Sequence, residues 1–276
     1  TNTTPQYPTH PYRHIMVQSE FHAEHVRAAL AKNDAFTTSG GSKKDAFTPF
    51  VVVIPNGIAQ MPPPPSATLR NRRHVFIFGS APSRGLGLVL HRWAYIKTHI
   101  PEAILEVYYG FTDSAVRELK RGMDEETWER WWAQMQEFLT LDGVQYKGAV
   151  DHATLAEAYA TAGFLLYPTT FKETGCITAL RAMAAGVIPI TSRRTPSVLP
   201  SLTEGFDMGP AQPLTGFIIE SEGGLAQWLV EQWGPAVVAA YYSDEVALEA
   251  RRRRMMAHIQ RTYTWGETAD RMMRLF

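Results

Sequence analysis

The chain has 276 residues, 45% hydrophobic and 20% charged, so it can bury a substantial core as one large or two modest domains. Its 27 basic and 27 acidic side chains cancel, which leaves no basic excess to neutralise phosphates and argues against nucleic acid as the main partner. A single cysteine excludes an internal disulfide framework and suits a reducing, cytoplasmic setting. No apolar run reaches the about 18 residues of a membrane span, although a membrane-peripheral location stays open. The chain opens at Thr1 without a charged-then-apolar leader, and we expect it to be a piece of something longer.

Residues 1–13, rich in Thr, Pro and Tyr, read as irregular. His14 to Gln18 is a short apolar run, and Ser19 is a fair N-cap for a helix from about Phe21 to Lys32. His22 and His25 lie one helical turn apart, but no third ligand accompanies them, so they read as a solvated helix face and no metal site is expected. Asn33 to Pro49 is polar and loop-like, and Pro49 to Pro55 is an apolar strand. Four prolines between Met61 and Ser66 make a stiff extended connector, with a ligand for a proline-recognition module as the lesser alternative.

Val75 to Phe78 reads as a buried strand, Gly79 to Gly85 as a turn, and Leu86 to Ile100 as a helix with Leu86, Val89, Leu90 and Trp93 at helical spacing. A glycine-bearing turn between strand and helix invites a dinucleotide reading. Gly85 and Gly87 supply only part of that fingerprint, Leu90 holds the third glycine position, and no acidic residue clearly ends the next strand. No cofactor is therefore expected. Ala103 to Gly110 is the next strand and Asp113 to Leu141 is mostly helical, with Trp128, Trp131 and Met135 on one face that reads as packing rather than a sugar platform. Val144 to Val150 is a strand, and Asp151 caps a helix through Ala162.

Gly163 to Leu166 is an apolar run of the kind a buried parallel strand needs, ending at Pro168. A helix is expected from near Thr174 through Ala185, closed by Gly186 before a strand from Val187 to Thr191. This strand-loop-helix-strand unit implies an α/β fold with a doubly wound parallel sheet. In such a unit the chemistry sits at the carboxyl end of the strand, where the amides of Thr174, Gly175, Cys176 and Ile177 can meet an anion. A cysteine at a helix start can be a nucleophile. No histidine is linked to Cys176 in sequence, so a packed thiol is the better reading. Ser192 to Leu202 reads as loop and short helix near the same pocket, Gly216 to Glu220 as the last strand, and Gly224 to Trp233 as a helix. In the helical segment from Pro235 to Tyr263, Arg251 to Arg254 read as a solvated face, with a polybasic membrane or phosphate contact as the alternative.

Glu173, the small-residue helix start after it, and the run Ala182-Met183-Ala184-Ala185-Gly186-Val187-Ile188-Pro189 resemble the donor-site signature of the family 4 glycosyltransferases, a retaining group with the GT-B fold. The likeness extends over about Ile15 to Phe276. It includes the Ser19-x-Phe21 turn, the phrase Ile54-Pro55-Asn56-Gly57-Ile58, and an ending, Tyr263 to Ala269, similar to the family's final helix that crosses back to the N-terminal domain. The resemblance implies a Rossmann-like donor half of a hexosyltransferase-like enzyme, a nucleotide-diphosphate sugar as donor, and transfer with retention and without metal. It leaves the acceptor open among glycan, lipid, protein and small molecule, held by an N-terminal domain mostly absent from this sequence.

The same resemblance implies residue roles. Glu173 would orient the sugar, Arg84 and the amides of Thr174 to Ile177 would stabilise the departing diphosphate, Gly79-Ser80 would face the donor phosphates, and Gly148 to Val150 would touch the nucleobase. Two positions depart from the family pattern. Arg181 stands where a second glutamate takes the ribose hydroxyls, and Ser80 stands where the family places an arginine after glycine. The implied domains are a remnant with connector over 1–66, a donor-binding domain over 67–262 and a crossover helix over 263–276. The departures leave alternatives: an inactive nucleotide-sugar-binding or scaffolding protein that pairs with a separate chain, an enzyme in which Arg181 takes the phosphate or carboxylate of an unusual donor, and, as a weaker third, a GT-B phosphorylase or epimerase.

Overall fold

The computed structural model describes residues 14–32, 49–61 and 72–275. The stretches 1–13, 33–48 and 62–66, read above as irregular, loop-like and proline-rich, lie outside the described residues.

Two parallel sheets organise the chain. In the smaller, β1 (His14–Val17) pairs with β2 (Phe50–Val53) in a register running from His14 opposite Phe50 to Val17 opposite Val53. Between them runs α1 (Glu20–Ala31), and the Ser19 side chain accepts from the His22 amide. The larger sheet contains β3 (Val75–Gly79), β4 (Ile104–Tyr108), β5 (Val144–Gly148), β6 (Phe164–Tyr167) and β7 (Ile188–Thr191), all parallel, in the order β5-β4-β3-β6-β7. Every residue of β6 and β7 is buried, as a sheet covered on both faces demands of its apolar runs. The chain adds strands to one side of β3 and then crosses to build on the other. Strands β3 and β6 therefore flank the point where the order reverses.

Helices cover the sheet because their apolar spacing fits it. In α2 (Leu86–His99) the residues Leu86, Val89, Leu90, Trp93 and Ile96 are buried at helical spacing. Trp93 meets Phe76 of β3 edge-on, and Phe76 stacks on Phe164 of β6 at 5.6 Å between centroids. The region from Asp113 to Leu141 divides into α3 (Asp113–Lys120) and α4 (Glu125–Phe138), the second capped by Asp124. Trp128 and Met135 are buried there while Trp131 is half-buried, a packing face with Trp128 stacked against Trp131 and Trp132. Asp151 caps α5 (His152–Thr161) by accepting from the Thr154 amide at 2.8 Å.

Three expectations are corrected. The helix after β6, α6 (Ile177–Ala184), begins three residues later than expected, because Cys176 has φ −37° and ψ 87° and the Thr174 and Gly175 carbonyls bond to the N-terminal segment rather than up a helix. Downstream of α7 (Leu199–Leu202), Gly216–Glu220 is a helical turn, α8, and not a strand. A short apolar run does not by itself discriminate the two, and the Thr215 hydroxyl, accepting from the Ile218 amide, decides for helix. The third concerns the arginine run. Past α9 (Gly224–Trp228), a π turn over Leu229–Trp233 and α10 (Gly234–Tyr241), it lies on α11 (Glu245–Thr262), where Arg252 is buried and paired with Glu249 at 2.7 Å. Arg253 and Arg254 remain exposed.

The last helix, α12 (Trp265–Met273), lies against the β2 exit: Ile58 N donates to Tyr263 O at 2.8 Å and Thr268 Oγ1 to Pro55 O at 3.1 Å. A Cβ on Gly57 would fall 2.7 Å from the Trp265 backbone, so this crossing needs glycine.

One hydroxyl joins the small sheet to the loop before α6. Ser19 Oγ caps α1 and also donates to Thr174 O at 2.6 Å. We expect Ser19→Ala to cost about 1–3 kcal/mol, the loss of a cap plus a part-buried hydrogen bond. The urea midpoint should fall at constant m-value, and amide exchange should quicken in the loop preceding α6. An unchanged midpoint and unchanged exchange there would sink the double role.

Candidate functional site

At the carboxyl ends of β3, β4 and β5, against the start of α6, lies a cavity of about 170 Å³. Gly79 and Ser80 enter it from the end of β3, Tyr109 from just past β4, Val150 from the turn after β5, His152 from the start of α5, and Ile177, Thr178 and Arg181 from α6. Leu155 and Tyr159 of α5 complete the wall. Gly79 has no alternative at its position, since a Cβ would lie 2.4 Å from the Tyr159 hydroxyl, which donates to Gly79 O at 3.3 Å. Tyr109 adopts φ 101°, a conformation costly for a non-glycine residue and one that such sites concentrate.

A chain of side chains runs from this cavity into the protein. Buried Ser80 approaches the Tyr167 hydroxyl at 3.4 Å, and Tyr167 donates to Glu173 Oε1 at 2.7 Å. Arg84 Nε sits 3.7 Å from the same carboxylate oxygen. The Arg84 guanidinium lies over the Phe171 ring, 3.2 Å from its centroid, while its buried Nη1 has no hydrogen-bond partner among the described residues. Arg84 gets its position from a 3-10 turn over Pro82–Arg84, ended by Gly85 at φ 110°, where a Cβ would press to 3.0 Å from Pro168 O. Burial pushes the Glu173 carboxyl above its ordinary range, against the opposing pull of the Tyr167 hydroxyl and the Arg84 charge. Burial, reinforced by Glu173 and Cys176, likewise holds Tyr167 well above its ordinary value.

The residues singled out in the sequence fall into three groups. Gly79, Ser80, Val150, Ile177 and Arg181 share the cavity wall. Glu173 and Arg84 form the pair behind it. Thr174 and Gly175 face the N-terminal segment, where Ser19 takes the Thr174 carbonyl and Asn56 Nδ2 donates to the Gly175 carbonyl at 3.3 Å. Among the described residues no acceptor takes the amides of Thr174, Gly175 or Cys176. Gly148, at φ 70°, stands outside the wall, its carbonyl accepting from Tyr109 N at 2.9 Å. The Cys176 thiol is buried and pushed up to about 12 by burial first and the Glu173 charge second, so it stays protonated and is no nucleophile. Arg181 Nη1 donates to His152 Nδ1 at 3.1 Å.

Tyr167, Phe171, Tyr159 and His152 were not singled out. Tyr167 reads as the last residue of a strand and His152 as the first of a helix, and nothing in local pattern separates such residues from ordinary ones. Only the strand order brings them to one place. Among the described residues no group of three metal-ligating side chains occurs, and no helix is long and apolar enough to cross a membrane.

No family model matches the chain, and neither does any curated protein. Solved structures do. The chain is similar to the pneumococcal O-GlcNAc transferase GtfA in complex with UDP and GlcNAc, at 17% identity and TM-score 0.62, over 95% of this chain and 44% of that one. It is similar to sucrose-phosphate synthase from Thermosynechococcus elongatus at 17% identity and TM-score 0.58, over 95% and 57%. Trehalose-6-phosphate synthase OtsA matches at 14% identity and TM-score 0.63, over 96% and 60%. The chain thus spans 44% to 60% of the length of these structures. It has the Rossmann-like α/β fold of the GT-B glycosyltransferases.

The Glu173 environment has a pH signature. With its folded pKa above the unfolded one, the folded protein keeps a proton that the unfolded chain has released, so stability falls as pH rises through that window. Glu173→Gln carries no such penalty. Its stability relative to the parent should therefore rise as pH is raised from below about 4 toward neutrality, read from urea midpoints. A difference that is flat or falls with pH would contradict the burial of this carboxyl.

Proposed function

We propose that this chain is the donor-binding half of a retaining, metal-independent glycosyltransferase of the family 4 kind, taking a nucleotide-diphosphate sugar and needing no cofactor. The observation that carries the reading is the line Ser80–Tyr167–Glu173–Arg84. It runs from a cavity at the reversal of the strand order to a cation whose buried Nη1 lacks an acceptor. A guanidinium with an unfilled donor suits a phosphate oxygen. In this reading Arg84 and the unpaired amides of Thr174, Gly175 and Cys176, with that of Ile177 at the helix start, stabilise the leaving diphosphate. Glu173, fixed by Tyr167, orients the sugar. Gly79 and Ser80 border the phosphates, and Gly148 and Val150 lie toward the base. Residues 1–66 then stand as the remnant of an acceptor domain with its connector, 67–262 as the donor domain, and 263–276 as the crossover helix. The similar pneumococcal transferase, solved with UDP and GlcNAc, is in keeping with this assignment.

A second reading has an observation of its own. The cavity, about 170 Å³, is smaller than the roughly 300–1,000 Å³ of ordinary ligand sites, and Glu173 and Phe171 already occupy Arg84. That state suits a chain that binds a nucleotide without turnover, the rest of the site coming from another polypeptide.

Calorimetric titration with UDP, GDP and ADP and their sugars tests the first reading. One nucleotide should bind saturably, and Arg84→Ala should bind it at least about tenfold more weakly, as loss of a charge-assisted hydrogen bond of about 1.5–3 kcal/mol requires. Glu173→Gln should weaken the sugar conjugate more than the free nucleotide. Binding equal in parent and Arg84→Ala would overturn the assignment of the phosphate site. Binding without slow hydrolysis of the sugar conjugate would favour the second reading.

A further inference from the structure

The wall of the cavity holds a cation and an imidazole in contact, with no carboxylate among its lining residues. Arg181 Nη1 lies 3.1 Å from His152 Nδ1. A guanidinium has donors only, so Nδ1 is the acceptor and the ring proton of neutral His152 sits on Nε2. The pair then has only donors left: the remaining guanidinium N–H groups and His152 Nε2–H. No carboxylate lines the cavity, and Arg181 makes no ion pair among the described residues. The Thr178 hydroxyl is directed to Gly79 O at 3.5 Å, and the Tyr159 hydroxyl donates to the same carbonyl. Arg181 stands one turn beyond Ile177 and Thr178, and helical side chains lean toward the preceding turn. Its guanidinium accordingly lies over the same cavity those two residues border. A cationic pair whose free groups are all donors, on a wall that holds no carboxylate, is suited to a compact anion.

We propose that Arg181 and His152 form a subsite for a phosphate group, with Arg181 as the charged ligand and His152 holding it in place while donating through Nε2. The inference rests on the nucleotide reading only for what carries that phosphate. Two carriers are compatible with the shared chemistry: the diphosphate of an ordinary nucleotide, or a phosphomonoester on the ribose.

The test separates this from the proposed function, which places a diphosphate at Arg84, by reading a nucleoside-free probe at His152 itself. Inorganic pyrophosphate is titrated into the intact chain while the ring resonances of labelled His152, assigned by their loss in His152→Asn, are followed. Saturable movement of these resonances is expected, with at least a tenfold weaker response in Arg181→Gln, which should unfold at the temperature of the parent because Arg181 is only half-buried. Arg181→Lys, which keeps the charge but loses the fork, should fall between them. Pyrophosphate that leaves the His152 resonances unmoved, or moves them in Arg181→Gln at the same concentration as in the parent, overturns the subsite even if UDP binds well at Arg84. Pyrophosphate binding lost in Arg181→Gln supports it even if no nucleotide-sugar is turned over. The carriers are then told apart with UDP, uridine and uridine 3′,5′-bisphosphate. A tenfold loss for UDP in Arg181→Gln with uridine unchanged identifies the diphosphate, and a loss confined to the bisphosphate identifies the ribose phosphomonoester.

Discussion

Strands β6 and β7 are buried on both faces, and a parallel sheet covered in this way has no open face on which to build a site. Each strand must instead be followed by a crossing helix, and the loops that begin those crossings collect at one edge. With the order β5-β4-β3-β6-β7, the loops after β3 and β6 lead their helices to opposite sides and part from each other. The gap between them is where Ser80, Tyr167 and the start of α6 meet. The side-chain contacts described above follow from that parting, because no two of Arg84, His152 and Glu173 are close in sequence.

Within that gap the decisive balance is the hydration lost by Glu173. A carboxyl buried beside Tyr167 has lost its water, and one hydrogen bond and one cation at 3.7 Å only partly compensate, which is why its proton is held more tightly than usual. The same contact holds Arg84 in place. Its guanidinium lies over Phe171 and is drawn toward Glu173, yet its Nη1 meets no acceptor among the described residues. An anion arriving at Arg84 would therefore find a cation already oriented, with little rotamer entropy left to lose. It would also compete with Glu173 for that charge, so binding and the protonation of Glu173 are coupled.

Much of this was legible in the sequence where physics acts locally. The apolar run of β6, the glycine closing α6, the aspartate cap of α5 and the buried stripe of α2 each announce themselves within a dozen residues. Glu173 and Arg84 could be singled out by pattern, and Arg181 and Ser80 by their departure from it. The partners could not. Tyr167 is important because β6 lies beside β3, and His152 because α5 and α6 are brought together by a crossover, facts of topology that no local window contains. Gly216–Glu220 failed for another reason: five residues of mixed apolar character fit either period, and one hydroxyl at Thr215 settled the outcome. Arg252 failed because charge runs are ordinarily solvated, and only the packing of α11 against α6 shows that one of the four points inward.

The loop that carries Glu173 is fixed from two sides, and the two differ in kind. On the sheet side it is held by the Tyr167 hydroxyl, which belongs to the same chain of contacts as Arg84, and by the backbone amide of Val198, which donates to Glu173 O at 2.8 Å. On the other side it is held by Ser19, Gln18 and Asn56, which follow β1 and β2 of the small sheet and contribute nothing to the cavity wall. A Cβ on Gly175 would fall 2.5 Å from Gln18 Oε1 and 2.9 Å from Gln18 Cβ, so a side chain there would displace Gln18. Any displacement of the small sheet relative to the large one must therefore either break the Ser19 and Asn56 bonds or drag residues 174 and 175 with it. Since Glu173 is the next residue in the chain, and Tyr167 and Arg84 both depend on its carboxyl, such a displacement reaches the cation within a few covalent bonds. The positions of Arg84 and Glu173 are thereby tied to the small sheet.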